Sequence, residues 1–468
     1  MDNNELNKKI FKGTGIYAIG TFGSKILTFL IVPLYTYYLE TSEMGIFDVL
    51  LSTLNLLIPL ITIQVSDAAY RWLIKDETNN IKYVKTTYQI IIINSFIAFM
   101  GIIVLSIFTK IDNIFYFSGM LFSSIFFQST QKILRGLKNQ VLFVTTGLVY
   151  TLVYLTMNVF LLCFFRMGME GLCISYIVAN FSALLLAFLK EKRIRIKICS
   201  GIDQKVSKNF IKYSIPLIPN SLSWWIMDSS DRFIVLWCLG NSSNGILAIA
   251  YKFPLALQSI LGLFINSWQD VSVAEYDNPD YNTKLFKKLY IFSFSFLWFL
   301  VPLTKVVSFS IVSNDYKSAC NIIAFYYLGV VFQIFSSFYG VGYLRNKNTK
   351  GSFATSVYGD IANAIINIIF INLIGLYAAA ISTFAGYLIM WIIRERQNRF
   401  ELGIKLNHFQ FWSFFIFSVS VCILSIILTN KYNMVLAIMG MGLFLIANKK
   451  EINLIVKKIK NIIISHLK

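Results

Sequence analysis

Apolar residues in this chain come in runs of about twenty, separated by short polar breaks. Each run is long enough to cross a ~30 Å hydrocarbon layer as a helix. The pattern predicts about fourteen spans, near 14–38, 45–66, 85–108, 114–133, 140–164, 169–189, 210–238, 245–265, 286–311, 319–343, 352–373, 375–394, 409–429 and 432–448. The fold class expected is an all-α polytopic membrane protein.

The pattern repeats. Leu39-Glu-Thr-Ser-Glu-Met-Gly45-Ile46 follows the first run, and Leu239-Gly-Asn-Ser-Ser-Asn-Gly245-Ile246 stands 200 residues later. Gly168-Met-Glu-Gly171-Leu-Cys-Ile-Ser175 is echoed by Gly375-Leu-Tyr-Ala378-Ala-Ala-Ile-Ser382, and Leu134-Arg135 by Leu344-Arg345. The pairs keep the same order, which points to an internal duplication. Internally duplicated membrane proteins are commonly transporters, with the path between the halves. The expected division is an N-terminal six-helix bundle (1–195), a basic linker (196–209), a C-terminal six-helix bundle (210–400), two additional spans (401–448) and a basic amphipathic tail (449–468) lying on the membrane surface.

Lys and Arg fall in alternate connections. One set holds Lys8, Lys9, Lys12, Arg71, Lys75, Lys82, Lys85, Lys132, Arg135 and Lys138, and continues through 190–197, 284–288, 345–350, 394–399 and 449–450. The other set offers Lys110, Arg166, Lys317 and Lys431. By the positive-inside rule both termini are expected in the cytoplasm. The N-terminus is polar and lacks a small-residue cleavage site after its first apolar run, so no secretory signal is read there.

Composition agrees with these spans: of 468 residues, 56% are hydrophobic and 14% charged, fewer charges than a soluble domain carries. The net charge of +19 is absorbed by the orientation signal and by contact with anionic lipid headgroups, so no nucleic-acid partner is expected. The six cysteines are scattered without CxxC pairs and there are two histidines, so no metal site is expected.

Charges inside spans are expensive and mark function by default. Lys25 lies in the middle of the first span, Arg232 in the seventh and Lys252 in the eighth. If the halves face each other, these three cations converge on a central cavity that attracts a phosphate or another anion. Asp228, Asp231 and Asp360 either hold a coupling cation or proton, or pair with the basic groups; Asp228 and Arg232 are four residues apart and share a helix face. Asp67 and Arg71 have the same spacing and read as a structural pair near the surface, and Lys305 reads as a residue that snorkels to an interface. Pro33, Pro59, Pro216, Pro219 and Pro254 weaken their helices and are hinge candidates, or else static kinks. The aromatic run from Phe325 to Tyr343 reads chiefly as lipid-facing and interfacial, with stacking on sugars as the other reading.

There is no P-loop, GxGxxG, HExxH or GxSxG, so neither an enzyme nor ATP-driven transport within the chain is expected. The energy source is then an ion gradient or the gradient of the substrate itself.

The segment Tyr213-Ser-Ile-Pro216-Leu-Ile-Pro219-Asn220-Ser-Leu-Ser-Trp224-Trp225-Ile-Met-Asp228-Ser-Ser-Asp231-Arg232 resembles the seventh-span signature of Wzx-type polysaccharide-repeat flippases, members of the MOP exporter superfamily that also holds MATE antiporters and lipid II flippases. Glu43-Met44-Gly45, Gly168…Gly171 and Phe264-Ile-Asn-Ser-Trp268-Gln269 agree with it, and the likeness runs through about residues 10–400. The resemblance implies two pseudo-symmetric six-helix bundles around a central cavity plus two peripheral helices. It implies alternating-access translocation of undecaprenyl-diphosphate-linked oligosaccharide (O-antigen, capsule or a related glycan) from the inner to the outer leaflet of the bacterial cytoplasmic membrane. Membrane lipids and glycan polymerase machinery are the implied partners. No cofactor is expected beyond H+ or Na+ as coupling ion. Arg232 lies inside the matching motif; Lys25 and Lys252 rest on the cavity argument. The rival reading is a cation-coupled multidrug antiporter of the same fold, whose cavity would favour carboxylates and aromatics over these lysines.

Overall fold

The computed structural model describes residues 31–75, 78–108, 113–195, 201, 203–273, 278–346 and 348–453. The regular structure among them is helical: α1 Thr41–Ile61, α2 Val65–Lys75, α3 Asn80–Phe108, α4 Ile114–Gly136, α5 Gln140–Val159, α6 Gly168–Lys190, α7 Gln204–Ser214, α8 Ile218–Val273, α9 Pro279–Ile311, α10 Ala319–Arg345, α11 Thr349–Ile374, α12 Leu376–Asn398, α13 His408–Ile427 and α14 Asn430–Ala447. A further helical segment covers 31–38. Eleven helices among the described residues are long and apolar enough to cross a membrane. Asn and Asp side chains start several of them: Asn139, Asp203, Asn278, Asn348 and Asn407 each accept a hydrogen bond from a backbone N–H of the first turn, satisfying donors that no helical carbonyl can reach.

Boundaries differ from the sequence pattern in several places: α3 and α9 begin earlier, at Asn80 and Pro279, and two breaks were not expected. The second span does not run unbroken to residue 66. It ends at Ile61, and Ile63 (φ 49°) and Gln64 (φ 55°) take left-handed backbone before α2 begins at Val65. Pro59 lies just upstream and Thr62 donates its hydroxyl to the Ile58 carbonyl. The seventh and eighth spans follow one another with only a kink between them: within α8 the backbone leaves helical geometry at Gly240 (φ 82°, ψ 179°). Pro302, inside α9, is a further helix-interior proline.

The chain forms two compact units. The first comprises Leu34–Gly245. Within it α6 packs on α5 and α4, and α4 on α2. Its linker is fastened by Asp203, which caps α7 and pairs with Lys82 at 2.6 Å. Glu191, just past α6, accepts hydrogen bonds from Arg193 Nε and from Asn139, the cap of α5. The Arg193 hydrogen bond and charge pull the Glu191 carboxyl down to about 2. A carboxyl with a depressed folded-state value stabilises above its ordinary value and loses that contribution as pH falls through the lowered one. We expect Glu191→Gln to flatten the acid limb of a stability-versus-pH curve between about 4.5 and 2; an unchanged limb in a pH series of thermal melts would refute the clasp.

The second unit contains Ile246 onward together with Ile31–Pro33 among the described residues. Its interior is aromatic. Tyr326, Tyr327, Phe332, Phe335, Phe338 and Tyr339 of α10 are buried, and Phe332 and Phe335 pack against Phe294, Trp391 and Phe411. The aromatic run is therefore neither a lipid-facing surface nor a sugar platform: three helices, α9, α12 and α13, cover it. Lys305 also departs from expectation. It is buried rather than snorkelling, and its Nζ donates to the carbonyls of Ser425, Ile426 and Leu428 at 2.6, 2.9 and 3.3 Å. A cation here satisfies the orphan carbonyls and opposes the negative end of α13. Gly440 of α14 approaches the Trp298 carbonyl so closely that a Cβ would stand 2.2 Å from it. We expect Lys305→Met to cost about 3 kcal/mol, because buried acceptors lose their donor, and to release the α13–α14 hairpin to protease before the rest of the unit. Cleavage kinetics matching the parent protein would contradict this role.

Candidate functional site

The break between α1 and α2 positions the site. Ending α1 frees the Ile61 carbonyl, which accepts from Asn94 of α3 at 2.9 Å. Non-helical backbone at membrane depth persists where protein or a water-lined cavity satisfies it. The Gln64 carbonyl accepts from Ser214, and its amide donates to Ser221 at 2.5 Å. The signature segment is thus held against the break. The same segment starts α8 through a short 3-10 turn, Ile215–Leu217, that accommodates Pro216, with Pro219 in the first turn of the helix that follows.

Farther along, the signature residues fasten α8 to α1. Trp225 Nε1 donates to the Ser52 carbonyl at 2.7 Å, and Arg232 Nε donates to Asp48 Oδ2 at 2.6 Å. Asn244 donates to the Gly45 carbonyl at 3.0 Å. At that end the two duplicated segments meet. A Cβ on Gly45 would stand 1.9 Å from the Asn241 carbonyl oxygen, and one on Gly245 would stand 1.9 Å from that of Thr41. The contact is reciprocal, residue for residue, across the 200-residue offset.

At the other end lies a cavity of about 560 Å³ whose wall includes Gln64, Tyr213, Asn220 and Ser221. Its charge comes from α2 and α4: Asp67, Arg71 and Lys75 on α2, and Lys132 on α4. Asp67 does not pair with Arg71 as the spacing suggested; it takes Lys132 at 2.6 Å. Arg71 instead lies over the Tyr213 ring at 4.6 Å, a cation–π contact made by an exposed side chain. Three cations stand against one carboxylate in the described lining. The arrangement suits an anion with several acceptor oxygens, since Arg supplies a planar fork and Lys a point charge.

The residues singled out from sequence fall as follows. Lys25 lies outside the described residues, and the side chain of Asp228 is not described. Arg232 is largely buried in its pair with Asp48. Asp231 is buried in the first unit. Lys252 is half-buried in the second unit, next to Tyr251, whose ring packs on Tyr326. Asp360, buried in the second unit, adds favourable charge to Arg394, which also bonds Thr355 and Ser356. Pro33 lies in the helical segment 31–38, and Pro254 is helix-interior in α8. The cationic cavity was overlooked because Arg71, Lys75 and Lys132 were absorbed into the orientation signal.

Comparison with solved structures places the fold. A structure described as "Lipid II flippase MurJ, inward closed conformation" aligns with a TM-score of 0.69 at 18% identity, covering 94% of this chain and 99% of that one. An inward-facing multidrug resistance MATE family transporter of the MOP superfamily aligns at 0.65 and 12% identity, over 81% and 94%. An outward-facing MATE structure aligns at 0.60 and 14%, over 85% and 96%. At these identities the likeness is one of fold alone: a bundle of helices long and apolar enough to cross a membrane many times. Comparison with curated proteins finds no match. The family described as polysaccharide biosynthesis protein matches residues 10–268, more than half the chain, including both duplicated segments and the signature segment. The chain belongs to the polysaccharide biosynthesis protein family.

Proposed function

We infer that this protein moves a diphosphate-linked oligosaccharide on a polyprenyl lipid from the inner to the outer leaflet of the bacterial cytoplasmic membrane. The observation that carries the reading is the cationic cavity of Arg71, Lys75 and Lys132, walled by Tyr213, Asn220 and Ser221 of the family signature. A diphosphate is the strongest anion on such a lipid. The positive-inside rule puts these lysines and arginines at the cytoplasmic interface, the depth at which a diphosphate starts. The polyprenyl chain remains in the bilayer, since burying it in a polar cavity gains nothing. Coupling to H+ or Na+ through Asp228, Asp231 or Asp360 is part of this proposal, as is a passage that closes and opens by movement of helices broken at residues 62–64 and at Gly240.

The antiporter reading is less favoured, because a cavity with excess positive charge repels cationic drugs. A direct test is a purified-protein assay in liposomes carrying undecaprenyl-diphosphate oligosaccharide extracted from the host. Transfer across the bilayer is read by the access of an added glycosidase. Protein-dependent transfer is expected; transfer at the protein-free rate would refute the function.

A further inference from the structure

The polar stripe that enters the cationic cavity continues away from it. On α4, Ser124, Gln128, Gln131, Lys132 and Arg135 follow helical spacing and share a face. This helix has 23 residues, yet it is not among those apolar enough to count as a span. An amide facing hydrocarbon is costly, so such a face borders water or a polar ligand.

Beside the stripe stands a terrace of rings. Phe127 of α4 stacks on Tyr150 of α5 at 5.1 Å and 17°, and Tyr150 on Tyr154 at 5.9 Å and 4°. Tyr176 of α6 meets both tyrosines edge-on, at 6.2 and 6.3 Å. The terrace is fixed from behind. Tyr154 shares a hydroxyl hydrogen bond with Tyr35 at 2.9 Å, and Tyr176 with Ser124 at 3.0 Å. Gln128 donates to Ser124, and Gln131 to Thr146 of α5.

Part of this cluster stays accessible. Phe127, Tyr150, Tyr154 and Tyr176 remain partly exposed and Gln128 is exposed. The Tyr150 hydroxyl makes no hydrogen bond among the described residues. Gln131 is half-buried, with its amide held by Thr146 and its carbonyl oxygen buried. Gly147, one turn before Tyr150 on the same helix, has nothing within 4 Å of where a Cβ would be. All these groups belong to the first compact unit.

We propose that this terrace, with Gln128 and Gln131, is the saccharide-binding track that continues from the cationic cavity. Sugar rings carry polarised C–H groups on one face and hydroxyls around the rim. The C–H face suits the electron-rich face of an aromatic ring, and the hydroxyls suit amides and a free phenol, which both donate and accept. Lys132, next to Gln131 in sequence, ties the track to the phosphate end of the same lipid. The buried aromatic run of α10 has no such exposed face and is not part of it. The proposal rests on the flippase reading and names which surface reads its sugars.

The test uses the full chain in lipid nanodiscs and two probes: undecaprenyl diphosphate without sugar, and undecaprenyl-diphosphate oligosaccharide extracted from host membranes. The parent protein is expected to bind the glycosylated lipid about tenfold more tightly than the bare one. Tyr150→Leu and Gln128→Ala should each erase most of that preference while leaving bare-lipid affinity in place. Tyr150→Phe keeps the ring and should retain part of the preference; Gln128→Ala alters an exposed side chain and guards against a folding artefact. Equal affinity of the parent protein for both lipids overturns the track and leaves the flippase reading standing, as does an undiminished preference in Tyr150→Leu and Gln128→Ala. Loss of both affinities together in these variants also overturns the track, by assigning the rings to packing. Failure of the parent protein to bind either lipid overturns the flippase reading itself.

Discussion

Replacing Arg71 and Lys75 together with alanine is expected to lower affinity for undecaprenyl diphosphate by two to three orders of magnitude and to abolish transport, with the protein still folded in the membrane. Both side chains are exposed at the cavity wall, so their removal leaves no buried hole. A hydrogen bond to a charged group contributes about 1.5–3 kcal/mol, or roughly ten- to a hundredfold in affinity. Arg71→Lys should restore only part of the loss, because a lysine keeps the charge but loses the fork and the stack on Tyr213. Lys132→Ala should be worse than its charge alone implies, since it leaves the Asp67 carboxylate facing the phosphate. Asp67→Asn should then partly rescue Lys132→Ala. Absence of rescue, measured as lipid binding across a salt titration, would mean that Lys132 acts by packing.

The second large effect is expected at the reciprocal glycine contact. In Gly45→Ala the new methyl would stand 1.9 Å from the Asn241 carbonyl oxygen, and in Gly245→Ala 1.9 Å from that of Thr41. Both obstructing atoms are backbone, so α1 and α8 must part, and the Asn244 bond to the Gly45 carbonyl parts with them. Overpacking of this kind costs about 1–3 kcal/mol or more. Each substitution should lower the thermal midpoint by several degrees and depress transport, and the two should match because the contact is symmetric. Gly101→Ala on α3 is the control: nothing lies within 4 Å of its Cβ, and alanine favours a helix over glycine. Equal melting of Gly45→Ala and Gly101→Ala would contradict the close approach.

Much of this architecture was legible in the sequence for physical reasons. A helix that crosses a membrane must announce itself by an apolar run, and a duplicated segment by its glycine spacing. Gly45 and Gly245, picked out as a repeat, turn out to touch. The signature's Trp225 and Arg232 turn out to serve one task, the fastening of α8 to α1. What escaped was non-local. The spacing of Asp67 and Arg71 suggested a pair within one helix, but the partner of Asp67 is Lys132, 65 residues away. Nothing in the types Ile63 and Gln64 announces left-handed backbone; a tertiary bond from Ser214 to the Gln64 carbonyl and one from the Gln64 amide to Ser221 hold it there. Lys305 looked like an interfacial lysine because sequence does not show that α13 ends beside it. The α10 aromatics read as a surface, whereas the partly exposed rings, one Phe and three Tyr, are scattered over α4, α5 and α6 in three separate runs.

The measurement that bears most directly on the central claim is depletion of this protein from its host, followed by assay of the surface glycan and of the leaflet that holds the lipid-linked precursor. The account expects surface polymer to disappear while undecaprenyl-diphosphate oligosaccharide collects on the cytoplasmic leaflet, and expects the Arg71→Ala/Lys75→Ala variant to fail to restore export. Normal surface glycan after depletion, or precursor accumulating on the outer leaflet, would contradict it.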